Sequence, residues 1–283
     1  MATIVDGNRI ASQILEELRI KNQELRKKGI VPRLSVFLVG ENAASLSYVK
    51  IKMKKAQEIG IEVSLKKFPE NIARGGLEQE IQKANNDKAV SGILVQLPLP
   101  ASLNKEKILN VVDPAKDVDC LTEANKLKLV NMEDISFAPP APAAILEILD
   151  FYKINLKNRN ALLIGSGDLV GKPLSALLLK RKINFQIANT ATDNLPELVS
   201  AADVIITGVG KAKLITGEMV KEGVVIIDAG TTGSEAGGIS GDVDFESAAP
   251  KASLISPVPG GVGPVTVAML LRNVVTAAHL TSS

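Results

Sequence analysis

Residues 161–173 read Ala161-Leu-Leu-Ile-Gly-Ser-Gly-Asp-Leu-Val-Gly-Lys-Pro173, and the reading of this stretch decides the fold. Four apolar residues form a short buried strand, residues 161–164. Gly165, Gly167 and Gly171 turn the chain, and residues 174–180 have the composition of a helix. Strand, glycine turn and helix N-terminus in that order let backbone N–H groups and the helix dipole hold a pyrophosphate. Side chains at the glycines would keep the backbone from the phosphate oxygens. The spacing is one residue longer than G-x-G-x-x-G, so a glycine-rich turn without a ligand is the competing reading. The order of the three elements favours a nucleotide.

Working outward, the C-terminal side continues with strands at 185–188, 204–207 and 224–228 and a closing helix at 265–280. A nucleotide ribose would meet the end of the next strand, Ala188-Asn189-Thr190, which offers neither an acid for a free 2′-hydroxyl nor an Arg for a 2′-phosphate. On the N-terminal side a helix at 143–152 follows a junction, 113–142, with Pro114, Pro139, Pro140 and Pro142 and no clear periodicity. Before it the sequence alternates again: helix 6–28, strand 34–39, helix 45–59, strand 61–68, helix 77–84 and strand 92–97. Two such alternations predict an α/β protein of two domains with parallel sheets. There is no internal repeat and no low-complexity tract.

Composition narrows the chemistry. A chain of 283 residues, 46% hydrophobic, suits about two domains with real cores. One cysteine, Cys120, and one histidine, His279, exclude an intrachain disulfide and a Cys/His zinc site. His279, four residues from the C-terminus, is poorly placed as the base of a Ser-His-Asp set. A net charge of +2 and 3% aromatic residues argue against a nucleic-acid partner. The uncharged stretch 252–271 approaches membrane-spanning length, but Pro257, Pro259, Pro264 and the Gly260-Gly261 pair predict a loop and then a helix. With no signal-peptide pattern at the N-terminus, the expectation is a cytoplasmic protein without a membrane contact. Proton chemistry then falls to Lys, Tyr, Asp, Glu or Gln, with no metal.

Tyr48 and Lys52 lie four apart on the second helix and share a face, just after the strand end at Gly40. A partly desolvated lysine there can titrate near neutrality and act as a general base, although four lysines within residues 45–55 also fit a plain solvated face. Gln96 is a polar residue in a buried run; its amide can hold the Lys52 amine, a substrate group or only backbone. Of Asp117 and Asp119, one carboxylate can bind a substrate donor array, or both can cap a turn.

The order S-x-x-Y-x-x-x-K, Q-L-P-L-P, D-V-D, G-x-x-x-x-V-G-x-P and P-G-G-V-G-P-x-T resembles the methylenetetrahydrofolate dehydrogenase/cyclohydrolase family over essentially the whole chain. The resemblance implies an N-terminal α/β catalytic domain, residues 1–138 joined by the last helix, 268–283. It also implies a C-terminal Rossmann-type nucleotide-binding domain, 139–267, a cleft between the two, and a homodimer. The implied activity is bifunctional: NADP-dependent oxidation of methylenetetrahydrofolate to the methenyl form, then hydrolysis to formyltetrahydrofolate, a supply to purine biosynthesis. By motif, Tyr48 packs on the folate aminobenzoyl ring, Lys52 assists both steps, Gln96 tunes Lys52 and Asp119 binds the pterin. Leu97 and Pro98, with Pro259, Gly260 and Gly261, line the folate side. Gly165, Ser166, Gly167, Val170 and Gly171 match the phosphate loop, Asn189 and Thr190 the ribose end. Gly208, Gly210, Gly230 and Thr266 fall near the nicotinamide.

Some positions depart from the family pattern. Ser166 stands where an Arg supports NADP, and Asn189-Thr190 where a His followed by Ser or Arg is usual, so NAD is an open alternative cofactor. Cys120 replaces the glycine of D-V-D-G, and Pro139-Pro140-Ala141-Pro142 replaces P-C-T-P. A cyclohydrolase-only enzyme and a non-catalytic folate- or nucleotide-binding protein are the rival readings. A short-chain dehydrogenase, which also has Tyr-x-x-x-Lys, is rejected because its glycine turn precedes the tyrosine.

Overall fold

The apolar runs of the N-terminal half pair into a three-stranded sheet. In the computed structural model, which describes residues 2–233 and 238–281, strand β1 (Thr3–Ile4) leads into helix α1 (Gly7–Lys27). The buried Ile10, Ile14, Leu15 and Leu18 form the apolar stripe of α1. Strand β2 (Arg33–Val39), helix α2 (Ala43–Glu58), β3 (Glu62–Phe68), α3 (Arg74–Asn86) and β4 (Gly92–Val95) follow. β2 lies in the middle, parallel to β3 from Arg33↔Glu62 to Val39↔Phe68 and to β4 from Leu34↔Gly92 to Phe37↔Val95. The chain goes out from β2 to one neighbour and returns across it to the other. At such a reversal an open α/β sheet binds ligands beyond the carboxyl ends of its strands.

β4 stops at Val95, two residues before the expected end at 97. The Gln96 amide still donates to Phe37 O (2.9 Å), but Pro98 and Pro100 have no N–H to extend a ladder. Phe37, Val39, Leu77, Ile81, Ile93, Val95 and Ile108 make the core beneath this sheet, the last from helix α4 (Lys105–Leu109). The junction expected to lack regular structure contains helix α5 (Glu123–Val130), capped by the Thr122 hydroxyl accepting from Asn125 N. A helix of eight residues is too short to print a clear period.

Helix α6 (Pro140–Phe151) starts three residues before the expected 143, because Pro140 and Pro142 occupy a first turn whose N–H groups need no intrahelical partner. Then come β5 (Ala161–Ile164), α7 (Gly171–Lys180), β6 (Gln186–Ala188), α8 (Leu195–Ala201), β7 (Val204–Thr207) and β8 (Val225–Asp228). A small antiparallel pair, β9 (Thr232–Gly233) and β10 (Ile239–Ser240), precedes α9 (Phe245–Ala248), β11 (Leu254–Ile255) and α10 (Val262–Leu280). α10 also begins three residues early, with Pro264 in its first turn. The sheet order is β1-β11-β8-β7-β5-β6 with parallel pairing, over a core that includes Leu162, Ile205, Ile226 and Ile255. Strand order reverses here too, between β5 and β7.

Two units emerge, Met1–Ala11 with Ala141–Thr266, and Ser12–Pro140 with Val267–Ser283. The expectation placed the start of the first domain at residue 1; in this division β1 pairs with β11 (Thr3↔Leu254, Ile4↔Ile255), so the first residues join the nucleotide-type sheet. The stretch 252–271 is β11, a turn and the first half of α10. Among the described residues no helix is long and apolar enough to cross a membrane.

Candidate active site

In the unit of Ser12–Pro140, the Asn42 side chain caps α2 by accepting from Ser45 N (3.0 Å). The helix thus starts directly after β2 and carries Tyr48 and Lys52, both half-buried, along one face. Lys52 Nζ donates to Gln96 Oε1 at 3.1 Å, and Gln96 Nε2 donates to Leu97 O at 2.7 Å. Of the three uses open to Gln96, it therefore holds the amine while its own NH₂ is anchored on backbone. Ser45 Oγ also reaches Leu97 O (3.5 Å), and Pro98 follows on the exposed rim.

Asp117 and Asp119 stand in different surroundings. Asp117 is buried and accepts from Leu121 N (3.1 Å), Thr122 N (2.8 Å) and Asn125 Nδ2 (3.0 Å), so it builds the turn into α5. Asp119 faces Lys52 electrostatically. Burial pushes the Lys52 ammonium below the ordinary lysine range, and the Asp119 carboxylate works back against that. Burial likewise pushes the Asp119 carboxyl up, Lys52 opposes it and Asp117 adds to it. Both groups are thereby moved toward neutral forms, the condition for an amine that takes up and returns protons.

Cys120 sits in the left-handed region at φ 57°, where glycine carries no Cβ penalty. Its Sγ donates to Phe137 O (3.5 Å), and burial pushes the thiol well above its usual range, so it is an inert core residue. Asn273 of α10 donates to Val118 O and Ala138 O, both 2.8 Å, and thereby braces the segment that carries Asp119.

The other unit presents backbone. Gly165 lies at φ 112° with its N–H on Ala188 O (2.8 Å). A Cβ on Gly171 would fall 2.2 Å from Gly165 O, so the helix can start only against a bare backbone. A Cβ on Gly208 would fall 2.9 Å from Val170 Cγ1, and one on Gly230 2.2 Å from the Asp242 carboxylate. Ser166 and Gly167 are exposed at the turn, and Gly210 has φ 76°. Asn189 is spent locally: its Oδ1 accepts from Ala191 N (2.8 Å) and its N–H donates to Thr192 Oγ1 (3.0 Å), with Thr190 exposed beside it. The Thr266 hydroxyl donates back to Val262 O (3.0 Å) within α10.

Pro259, Gly260 and Gly261 belong to this second unit and Lys52 to the first. Gly260 has φ 105°, its carbonyl accepts from Gly7 N (3.0 Å), and a Cβ on Gly7 would fall 1.8 Å from Gly261 O. Gly7 thus fixes the turn from the start of α1, a role invisible without the fold.

Two carboxylates escaped the sequence reading. Asp242, fully buried, and Asp228, 2% exposed, stand at the carboxyl ends of β7 and β8. Asp228 accepts from Gly230 N (2.8 Å) and Val243 N (2.9 Å), and burial pushes it up to about 6 against those hydrogen bonds. Asp228 ends an apolar run and Asp242 follows Ser240-Gly241, signals easily taken for solvated turns.

Residues 5–119 match the tetrahydrofolate dehydrogenase/cyclohydrolase catalytic domain, and residues 139–282 the NAD(P)-binding domain of the same family. The bifunctional protein FolD of Nautilia profundicola is 44% identical over 276 residues, which cover 98% of this chain and 97% of that protein. The crystal structure of bifunctional FolD, methylenetetrahydrofolate dehydrogenase/cyclohydrolase, from Campylobacter jejuni is 41% identical with a TM-score of 0.95, covering 99% of each chain. The Trypanosoma brucei enzyme, solved with NADP cofactor and an inhibitor, is 33% identical with a TM-score of 0.94, covering 99% of this chain and 98% of that one.

Proposed function

Because the chain belongs to the tetrahydrofolate dehydrogenase/cyclohydrolase family, we propose that it oxidises methylenetetrahydrofolate to methenyltetrahydrofolate and hydrolyses the product to formyltetrahydrofolate. The observation that carries this reading is the Lys52–Gln96 hydrogen bond beside Asp119, in a setting that lowers the lysine and raises the acid.

In the hydrolysis, water adds to the cationic methenyl carbon and loses one proton to the base; a carbon–nitrogen bond then opens as the remaining hydroxyl proton is passed to the departing nitrogen, leaving the formyl group. We assign Lys52 as the base for such a water, since burial lowers its pKa and so raises its share of neutral amine. Gln96 fixes where that amine points. Asp119 offers its carboxyl to the donor edge of the pterin, Tyr48 its ring to the aminobenzoyl group, and Leu97, Pro98, Pro259, Gly260 and Gly261 apolar or bare backbone surface. The oxidation demands positioning more than proton transfer, so the same residues serve it by orientation.

The residues present suit a dinucleotide. Gly171 lets α7 start directly against the Gly165 backbone, Gly165 and Gly208 pack tightly beside that turn, and Gly167 faces open space at the helix N-terminus. NAD(P) bound there supplies the hydride acceptor. Gly165, Ser166, Gly167, Val170 and Gly171 would hold its pyrophosphate, Asn189 and Thr190 its ribose end, and Gly208, Gly210, Gly230 and Thr266 its nicotinamide end. We propose NADP as the cofactor with NAD accepted in its place, because Ser166 and Asn189 bring no cation to a 2′-phosphate. The family resemblance adds a homodimer working in the cytoplasm and feeding purine biosynthesis; sedimentation of the purified protein tests the dimer.

Methylenetetrahydrofolate supplied with NADP or with NAD, followed for methenyl formation and separately for methenyl hydrolysis, tests the whole reading. Both steps should proceed. Rapid hydrolysis with no oxidation by either nucleotide would leave a cyclohydrolase only.

A further inference from the structure

The turn after β7 is held by a single buried carboxylate. Asp242 Oδ2 accepts from Thr207 Oγ1 (2.8 Å) and Val209 N (2.7 Å), and Oδ1 from Gly210 N (2.9 Å) and Lys211 N (2.8 Å). Two carboxylate oxygens offer about four lone-pair sites, and all are used. Three successive amides converging on one point form a nest of the kind that binds anions. Here the chain supplies the anion itself, so the turn is shaped in advance and its amides are closed to a phosphate. Space enforces the arrangement: a Cβ on Gly230 would fall 2.2 Å from Asp242 Oδ1.

This turn abuts the glycine loop. Gly208 N donates to Ile164 O (3.1 Å), the residue before Gly165, and a Cβ on Gly165 would fall 3.1 Å from Gly208 O. Ile164↔Thr207 is the last register pair of β5 and β7, at the reversal of strand order where open α/β sheets bind ligands. We propose that Asp242 is a positioning residue for the nucleotide: it sets the backbone of residues 208–211 against the phosphate loop before the dinucleotide arrives. The inference rests on the NAD(P) reading above and names a residue outside the set expected to touch the cofactor.

Asp242→Asn is the direct test, since an amide keeps one acceptor oxygen and turns an NH₂ toward amides that also donate. Three readouts on the full-length protein separate the possibilities: calorimetric binding of NADP and of NAD, hydrogen exchange at residues 209–211, and hydrolysis of methenyltetrahydrofolate. The expected result is nucleotide affinity weaker by roughly 10- to 100-fold, faster exchange at those amides, and hydrolysis within about twofold of the parent. Unchanged affinity with faster exchange overturns the proposal. If the variant loses hydrolysis as well, Thr207→Val decides. That change removes one donor at nearly constant volume and should weaken nucleotide binding roughly threefold to tenfold with hydrolysis intact. An unchanged affinity in Thr207→Val then overturns the proposal. A parent protein that binds neither nucleotide sinks the cofactor reading itself, a failure visible before any variant is made.

Discussion

The two units reverse strand order at the middle of a parallel sheet, β2/β4 in one and β5/β7 in the other, yet they equip those strand ends in opposite ways. At β2/β4 the chain supplies side chains: Lys52, Gln96 and Asp119, with burial shifting the lysine down and the acid up. At β5/β7 it removes them: Gly171 lies too close to the Gly165 backbone for a Cβ, Gly208 too close to the Val170 side chain, and Gly165 packs tightly on Gly208 O. Ionisable groups do occur there, but Asp228 and Asp242 are turned inward onto backbone amides. In the function proposed above, one topology hosts proton chemistry where side chains are desolvated, and ligand cradling where backbone is bared. The lesson is that the fold fixes the address, and local composition fixes the use.

The contrast breaks most sharply at Lys52. Lys52→Met keeps the apolar stem and deletes the amine, so methenyl hydrolysis should fall by about 10²- to 10⁴-fold while nucleotide affinity stays put. Near-normal hydrolysis in that variant would reject the amine as the base. The mirror-image change is Gly171→Ala, whose Cβ would lie 2.2 Å from Gly165 O. Calorimetry should show nucleotide binding weakened at least about tenfold, with hydrolysis unchanged because the lysine pocket lies in the other unit. Loss of both activities together would show that the two units do not act separately.

A pH measurement sharpens the difference between an outward and an inward acid. Asp228 is raised from 3.8 to about 6, so between those values the folded protein binds more protons than the unfolded chain. Stability should therefore fall as pH rises from about 4 to about 6, by up to about 3 kcal/mol, and level off above. The half-buried Asp203 and Asp244, held low chiefly by hydrogen bonds to Lys221 and Ser247, act in the opposite sense and only at more acid pH. Urea unfolding across pH 4 to 7 should show a steeper fall in the parent than in Asp228→Asn, where only the contribution of the also raised Asp119 remains.

Much of this could be read from residue order because it depended on residue type at short range. Tyr48 and Lys52 share a helix face by spacing, and the glycine turn lies between a strand and a helix that both print their period. The parts that could not be read are those set by distant partners. β1 is two residues long and pairs 251 residues away, so no local pattern marks it as part of the nucleotide-type sheet. Asp117 and Asp119 look alike in sequence, and only the amides of Leu121 and Thr122 single out the first as structural. Asp242 depends on amides more than 30 residues away, and Gly7 on a turn near the far end of the chain.

The account turns on the proposal that burial lowers the Lys52 ammonium and lets the amine serve as a base. Isotope-edited NMR titration of the Lys52 amine in the intact protein tests it most directly. The geometry predicts a midpoint below the ordinary lysine value of about 10.4, moving lower still when Asp119→Asn removes the charge that opposes the shift. A midpoint at or above that value, indifferent to Asp119, would contradict it.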